Sequence, residues 1–335
     1  MTLERLAALS PAQLSSQLVL GNWYQFVEAE FTKTLIPDNP KGTFSVAFGA
    51  QLDGENFEDI LNFLNANNIL VSSVCRYQPD PMLAPAICFY SNDYYGSLNP
   101  LVMNEFAHAK GFQLVQLSTP PNLNEPGLLV MDMDSTAITI ECIDEIARLA
   151  NVYDEVAAVT AEAMAGKLDF SESLYQRVAK LEGIEQSLID ELKSTLPLMP
   201  GIDALCRVLK QHNWYLAIAS GGFVPFAEQV QALLNLDEVH ANVLEFKDNK
   251  LTGRVLGTIV DANQKAKVLG MLQKRLSLPS HQTVAIGDGA NDLVMMKEAG
   301  LGVAVHGKPK VVEQAQAAIC EGSLLQLLYL LTIPK

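Results

Sequence analysis

Asp132 and Asp134 stand two residues apart, directly after the apolar run Gly127-Leu128-Leu129-Val130-Met131, and Ser135-Thr136 follow them. Carboxylates with that spacing at the end of a strand can share a metal ion, or divide the work of nucleophile and general acid. The pair also fits a polar turn with a capping aspartate, so alone it does not decide. A calcium loop of the EF-hand type is excluded, because Ala137 stands where that loop needs glycine and Ile143 where it needs glutamate. A second polar motif, Ser220-Gly221-Gly222, closes the apolar run from Trp214 to Ala219. A hydroxyl and unobstructed backbone amides can cradle a phosphoryl group there, although an ordinary glycine turn looks the same. A third, Gly287-Asp288-Gly289-Ala290-Asn291-Asp292, follows the run from Thr283 to Ile286. It superficially resembles a dinucleotide fingerprint, but Asp292 occupies the place of the last glycine. Carboxylates there repel a bare pyrophosphate and make sense with a divalent cation between. Asp288 is then the natural third acidic partner of the first motif. Lys265 lies alone in Asn263-Gln264-Lys265-Ala266-Lys267. A lone lysine is usually solvated, yet a phosphate site rich in carboxylates needs a fixed cation.

These motifs need elements to place them. The three apolar runs, with a fourth at Gly302 to Val305, alternate with helical patterns, as in a doubly wound parallel sheet covered on both faces. Sites in such sheets form at the carboxyl ends of the strands, where all three motifs lie. Between the first and second runs, Glu141 to Pro197 is rich in helical pattern, poor in strand signal and too long for a simple crossover. It is expected to be a helical cap inserted over the site.

The proline-rich stretch Ser118-Thr119-Pro120-Pro121-Asn122 suits a linker. Before it, Phe44 to Phe48, Ile69 to Val74, Ala86 to Tyr90 and Phe112 to Leu117 read as strands. Phe57, Ile60, Leu61 and Leu64 mark one amphipathic helix, and Leu101 to Lys110 a second that stops at Gly111. The order β-α-β-β-α-β predicts a ferredoxin-like α+β module. The first forty residues read as a helix and a loop. The expected domains are 1–120 and 121–335, with the cap at about 141–197.

Taken together and in order, DxDST, SGG, lysine and GDGxND resemble the signature of the haloacid dehalogenase-like superfamily. The resemblance covers roughly Gly127 to Leu331, with no departure at a catalytic position. The segments Glu141-Cys142-Ile143-Asp144-Glu145, Met164-Ala165-Gly166-Lys167-Leu168-Asp169-Phe170 and Ser173-Leu174-Tyr175-Gln176-Arg177 are similar to the cap of that superfamily's phosphoserine phosphatases, as are Leu198-Met199-Pro200-Gly201 and Ala219 to Phe223. The N-terminal module resembles the small regulatory, ACT-like domain found ahead of some bacterial members. The resemblance implies hydrolysis of O-phosphoserine, as the last step of serine biosynthesis, through a phospho-aspartate on Asp132. Asp134 would be the acid and base, and Mg2+ would be held by Asp132, Asp288 and the backbone carbonyl of Asp134. Ser220, Gly221, Lys265 and Asn291 would take the phosphoryl group, with Gly222 and Asp292 in support. Glu141 and Arg177 would take the amino-acid part, and Met164 and Phe170 would cover the site. Transfer to an alcohol acceptor and an idle metabolite-binding regulator remain as alternatives.

The chain of 335 residues has a formal net charge of -15, which argues against a partner presenting a phosphate backbone. No CxxC pair occurs among the five cysteines, which read as free thiols of a reducing compartment. The first residues carry Glu4 and no long apolar stretch, against a signal peptide. The apolar tail Leu324 to Leu331 is too short to span a bilayer and reads as a closing core helix. A cytoplasmic protein with a small-molecule substrate is expected, without nucleic-acid or membrane partners, and with the N-terminal module as a candidate for self-association.

Overall fold

The computed structural model describes residues 9–27, 30–36, 42–49, 52–92 and 98–334. The chain divides into two compact units, one formed by Met1–Asn124 with His306–Lys335 and the other by Glu125–Val305.

The first unit is built on a six-stranded sheet. Its strands are β1 (Trp23–Val27), β2 (Glu30–Thr34), β3 (Thr43–Phe48), β4 (Ser73–Tyr77), β5 (Ala86–Ser91) and β6 (Gln113–Leu117), in the order β2-β1-β4-β5-β3-β6. Every pairing is antiparallel. The helix Gly54–Ala66 follows β3 and the helix Pro100–His108 follows β5, so β3 to β6 reproduce the expected ferredoxin-like order. The longer helix is opened by Asp53 and Asn56, which cap each other's backbone, and it buries Phe57, Ile60 and Leu64. Those residues meet Val74, Ile87, Phe89 and Met103 in one core. The first forty residues depart from a helix and a loop: after the helix Pro11–Gln17, β1 and β2 form a hairpin on the edge of β4. The second strand also begins later than expected, at Ser73. In the closing segment, Leu324–Leu327 is a tight turn and Leu328–Leu331 a single helical turn, all buried except Gln326. It is held by the Tyr77 hydroxyl on the Tyr329 carbonyl at 2.6 Å.

The second unit carries β7 (Leu128–Met131), β8 (Tyr215–Phe223), β9 (Glu238–Lys247), β10 (Lys250–Leu256), β11 (Thr283–Gly287) and β12 (Leu301–Val305), ordered β10-β9-β8-β7-β11-β12. β7, β8, β9, β11 and β12 run parallel, and β10 returns antiparallel to β9. β7, β11 and β12 are buried along their whole length, as continuous apolar strands under two helical layers must be. The hairpin of β9 and β10 was not expected. Four helices between β7 and β8 form the cap: Cys142–Leu149, Tyr153–Met164, Phe170–Ala179 and Gln186–Ser194. Its two ends form a short ribbon, in which the Thr139 amide donates to the Pro197 carbonyl at 3.0 Å and the Met199 amide to the Ala137 carbonyl at 2.9 Å. Among the described residues, no helix is long and apolar enough to cross a membrane, and all five cysteines are free thiols.

Candidate active site

β7 lies at the centre of its sheet, between β8 and β11. The carboxyl ends of these three strands therefore bring together Asp132, Ser220 to Gly222 and Asp288, at a point where connections leave to opposite sides. They form the floor of a cavity of about 350 Å³. The cavity is lined by Asp132, Asp134, Ser220, Gly221, Gly222, Asp288 and Asn291 from the core, and by Glu141, Met164, Phe170 and Arg177 from the cap, among others. Every expected site residue lines it except Lys265 and Asp292, which are buried behind it.

Lys265 is fully buried, and its ammonium bridges Asp132 at 2.8 Å and Asp292 at 2.7 Å. The helix Ala262–Arg275 delivers it, opened by Asp261, whose side chain accepts from the Gln264 amide at 2.7 Å. Burial opposes the Lys265 charge, but Asp132 and Asp292 outweigh it and its pKa is raised. The lysine is therefore held as a fixed, charged group between the two carboxylates. Asp132 Oδ1 accepts from the Met133 amide at 2.7 Å, and Thr136 donates to Asp288 at 3.2 Å.

Asp132, Asp288 and Asp292 each place a carboxylate oxygen within 4.8 Å of the others. Three hard oxygen donors exceed the single charge of Lys265, a set that fits a divalent cation. The Asp134 carboxylate stands apart from this cluster and turns to the cap, accepting from the Cys142 amide at the start of a cap helix at 3.1 Å. Burial, with Glu141 and Asp132 nearby, pushes the Asp134 carboxyl up to about 7 despite that bond. Burial also raises Asp288 and Asp292, each further raised by Asp132.

The cap residues divide by charge. Glu141 accepts from the Ser135 hydroxyl at 2.8 Å, and burial raises its pKa. Arg177 donates through Nε to the Ser173 carbonyl at 3.4 Å; burial lowers its pKa, against the pull of Asp144 and Glu141 nearby. Phe170 reaches the glycine floor: a Cβ on Gly221 would lie 2.8 Å from its ring, and one on Gly222 would lie 2.5 Å from an Asp134 oxygen. A side chain at either position would have to displace the Phe170 ring or the Asp134 carboxylate. Met164 lines the cavity but is 76% exposed, so it does not seal it. Asn242 is fully buried and donates to the Gly221 carbonyl of the glycine motif, and nothing in the sequence marks it. An asparagine within a strand of mixed burial carries no pattern that distinguishes it from a surface residue.

The family model for haloacid dehalogenase-like hydrolases matches residues 129–297. A phosphoserine phosphatase of Vibrio cholerae is 44% identical over 314 residues, spanning 93% of this chain and 90% of its own. The crystal structure of a probable phosphoserine phosphatase from Vibrio cholerae, in unliganded form, superposes with a TM-score of 0.72 at 40% identity, covering 86% of each chain. A structure of a phospho-aspartyl intermediate analogue of phosphoserine phosphatase superposes with a TM-score of 0.57 at 38% identity, over 61% of this chain and 98% of that one. The chain belongs to the haloacid dehalogenase-like hydrolase family. It is an enzyme of that family's phosphoric monoester hydrolases, the group in which these phosphoserine phosphatases stand.

The carboxyl groups give a pH dependence with a definite sign. Asp134, Asp288 and Asp292 have pKa values raised above the ordinary carboxyl value near 3.8. A raised carboxyl costs the folded state nothing while protonated, and weakens it as pH climbs from the ordinary value through the folded one. Metal-stripped protein should therefore melt at a lower temperature at pH 8 than at pH 5.5. Added magnesium should raise the melting temperature more at pH 8, because it stabilises the ionised cluster. Thermal melts with chelator and with magnesium check this, and a pH-independent metal effect would contradict it.

Proposed function

We propose that this enzyme is a magnesium-dependent phosphoserine phosphatase, hydrolysing O-phosphoserine to serine and phosphate as the last step of serine biosynthesis. The observation that carries the proposal is one cavity with an aspartate in its floor, a buried lysine paired to that aspartate from behind, and both a carboxylate and a guanidinium in its cap. Those two cap charges suit the ammonium and carboxylate of an amino acid better than a sugar phosphate. Similarity to phosphoserine phosphatases, one of them captured as a phospho-aspartyl analogue, supports the same reading.

Asp132 attacks phosphorus, a bond forms from its carboxylate oxygen, and the bond to the serine oxygen breaks. Asp134 gives its proton to that leaving oxygen, consistent with a carboxyl raised to about 7. It then takes a proton from the water that attacks the phospho-aspartate, releasing phosphate and restoring Asp132. Lys265, the Ser220 hydroxyl and the Gly221 amide balance the charge of the transferring group, with Asn291 at its edge. Asp132, Asp288 and the Asp134 backbone carbonyl, with Asp292 behind them, would hold Mg2+, which lessens repulsion between carboxylate and phosphate. Glu141 receives the ammonium and Arg177 the carboxylate, while Phe170 and Met164 line the lid. The ACT-like unit is suited to self-association or amino-acid sensing.

The test is phosphate release from phosphoserine, phosphothreonine and several sugar phosphates, with and without magnesium. Phosphoserine should be turned over at least about tenfold more efficiently than any sugar phosphate, as a fully paired polar site discriminates. Preference for a sugar phosphate would withdraw the roles of Glu141 and Arg177. No turnover of any ester would sink the phosphatase assignment.

A further inference from the structure

We propose that Asn242 is a positioning residue for phosphoryl transfer, locking the Gly221–Gly222 peptide so that the Ser220 hydroxyl must donate into the cavity. The inference rests on the phosphatase function proposed above and adds to it a residue that touches neither substrate nor metal.

The glycine motif sits on an irregular part of β8. Ala219 pairs with His240 and Phe223 with Asn242, so Ser220, Gly221 and Gly222 bulge out against a single residue of β9. The bulge takes the Gly221 carbonyl out of the regular ladder. Asn242, fully buried, replaces the lost partner: its Nδ2 donates to the Gly221 carbonyl at 2.8 Å. On its other side, Oδ1 accepts from the Val260 amide at 2.9 Å. A carbonyl on one side and an amide on the other fix which way the side-chain amide points.

The carbonyl of Gly221 and the amide of Gly222 belong to one planar peptide and point in opposite directions. With the carbonyl held by Asn242, the Gly222 amide is aimed at Ser220 Oγ, to which it donates at 2.9 Å. Ser220 Oγ is thereby engaged as an acceptor. Among the described residues no protein acceptor takes its hydroxyl hydrogen, and Ser220 lines the cavity. The hydrogen is left to donate to a phosphoryl oxygen.

Such a lock is needed because of the glycines. A Cβ at either position would push against the Phe170 ring or the Asp134 carboxylate. Two successive glycines have little resistance to peptide rotation, and a rotated peptide would turn a carbonyl oxygen toward the transferring group. Val260 also precedes Asp261, the cap of the helix that delivers Lys265. One side chain therefore ties both phosphate-facing segments together.

The test is a double-mutant cycle of Asn242→Asp and Ser220→Ala, assayed with phosphoserine and with p-nitrophenyl phosphate. Asn242→Asp keeps the shape and the acceptor for Val260 but loses the donor. It should lower kcat on both esters by about tenfold or more, as loss of one oriented donor does, while KM for phosphoserine and half-saturation by magnesium stay within about twofold. The double variant should be no slower than Ser220→Ala alone, because both changes remove the same donated hydrogen bond. If Asn242→Asp does not fold, Asn242→Ser carries the same cycle. Losses that multiply, or an unchanged kcat, overturn the inference while the phosphatase function stands. Wild-type protein inactive on both esters overturns that function and this inference with it.

Discussion

Asp132→Asn should remain folded and release phosphate at least about 10⁴-fold more slowly than wild type, the order seen when a covalent nucleophile is removed. The substitution is nearly isosteric. Its side-chain oxygen can still accept from the Met133 amide, now met at 2.7 Å, and Lys265 keeps Asp292 at 2.7 Å. What disappears is the anionic oxygen that forms the new bond to phosphorus. Glu141 and Arg177 are untouched, so phosphoserine should still bind and protect the variant against thermal unfolding. Two readouts separate chemistry from binding: phosphate release, and acid-quenched protein after mixing with radiolabelled phosphoserine. Wild type should carry label on Asp132 and the variant none. Residual activity within about tenfold of wild type, or label on the variant, would move the nucleophile elsewhere.

The second large effect lies in the cation. Lys265→Met keeps the length and apolar volume of the side chain and removes its charge from between Asp132 and Asp292. Breaking one side of a buried ion pair costs about 3–5 kcal/mol, because the partners stay buried and uncompensated. Denaturant unfolding of metal-stripped protein should show a loss of that order. Saturating magnesium should recover part of it, since the carboxylates then share a different counter-charge. Turnover should stay below a hundredth of wild type even with magnesium, as the cation also balances the transferring group. Unchanged stability would mean that the ion pairs of Lys265 do not hold the folded core together.

The site was more legible in the sequence than the scaffold around it. Asp132, Asp134, Asp288 and Asp292 were legible jointly: each motif alone also fits a capped turn, but together they fall at the ends of neighbouring apolar strands. Lys265 became meaningful only beside them. The cap was legible through the lack of strand pattern between Glu141 and Pro197. The hairpin of β9 and β10 escaped because few of its residues are buried and its alternation is diluted. The hairpin of β1 and β2 escaped for a related reason: the described part of β2 is largely exposed, as an edge strand can be. Asn242 was illegible because its importance comes from a bulge in the neighbouring strand, which no local pattern announces. Met164 lies at the cavity, but spacing cannot reveal that its side chain extends into solvent.

The ribbon at the base of the cap has a consequence for how such a molecule diversifies. Both ends of the excursion leave the core within a hydrogen bond of each other, through Thr139 with Pro197 and Ala137 with Met199. Seen as a polymer, everything between them is a long loop whose closure is already provided by the core. The entropy of closing a loop grows only with the logarithm of its length. Lengthening, shortening or exchanging the excursion therefore costs the core little, and no core strand has to be rerouted. The residues that would choose the leaving group are carried on a cassette, while those that would handle phosphorus are inherited with the sheet. A lineage built this way can change what it accepts by recombination at one neck and leave its chemistry intact.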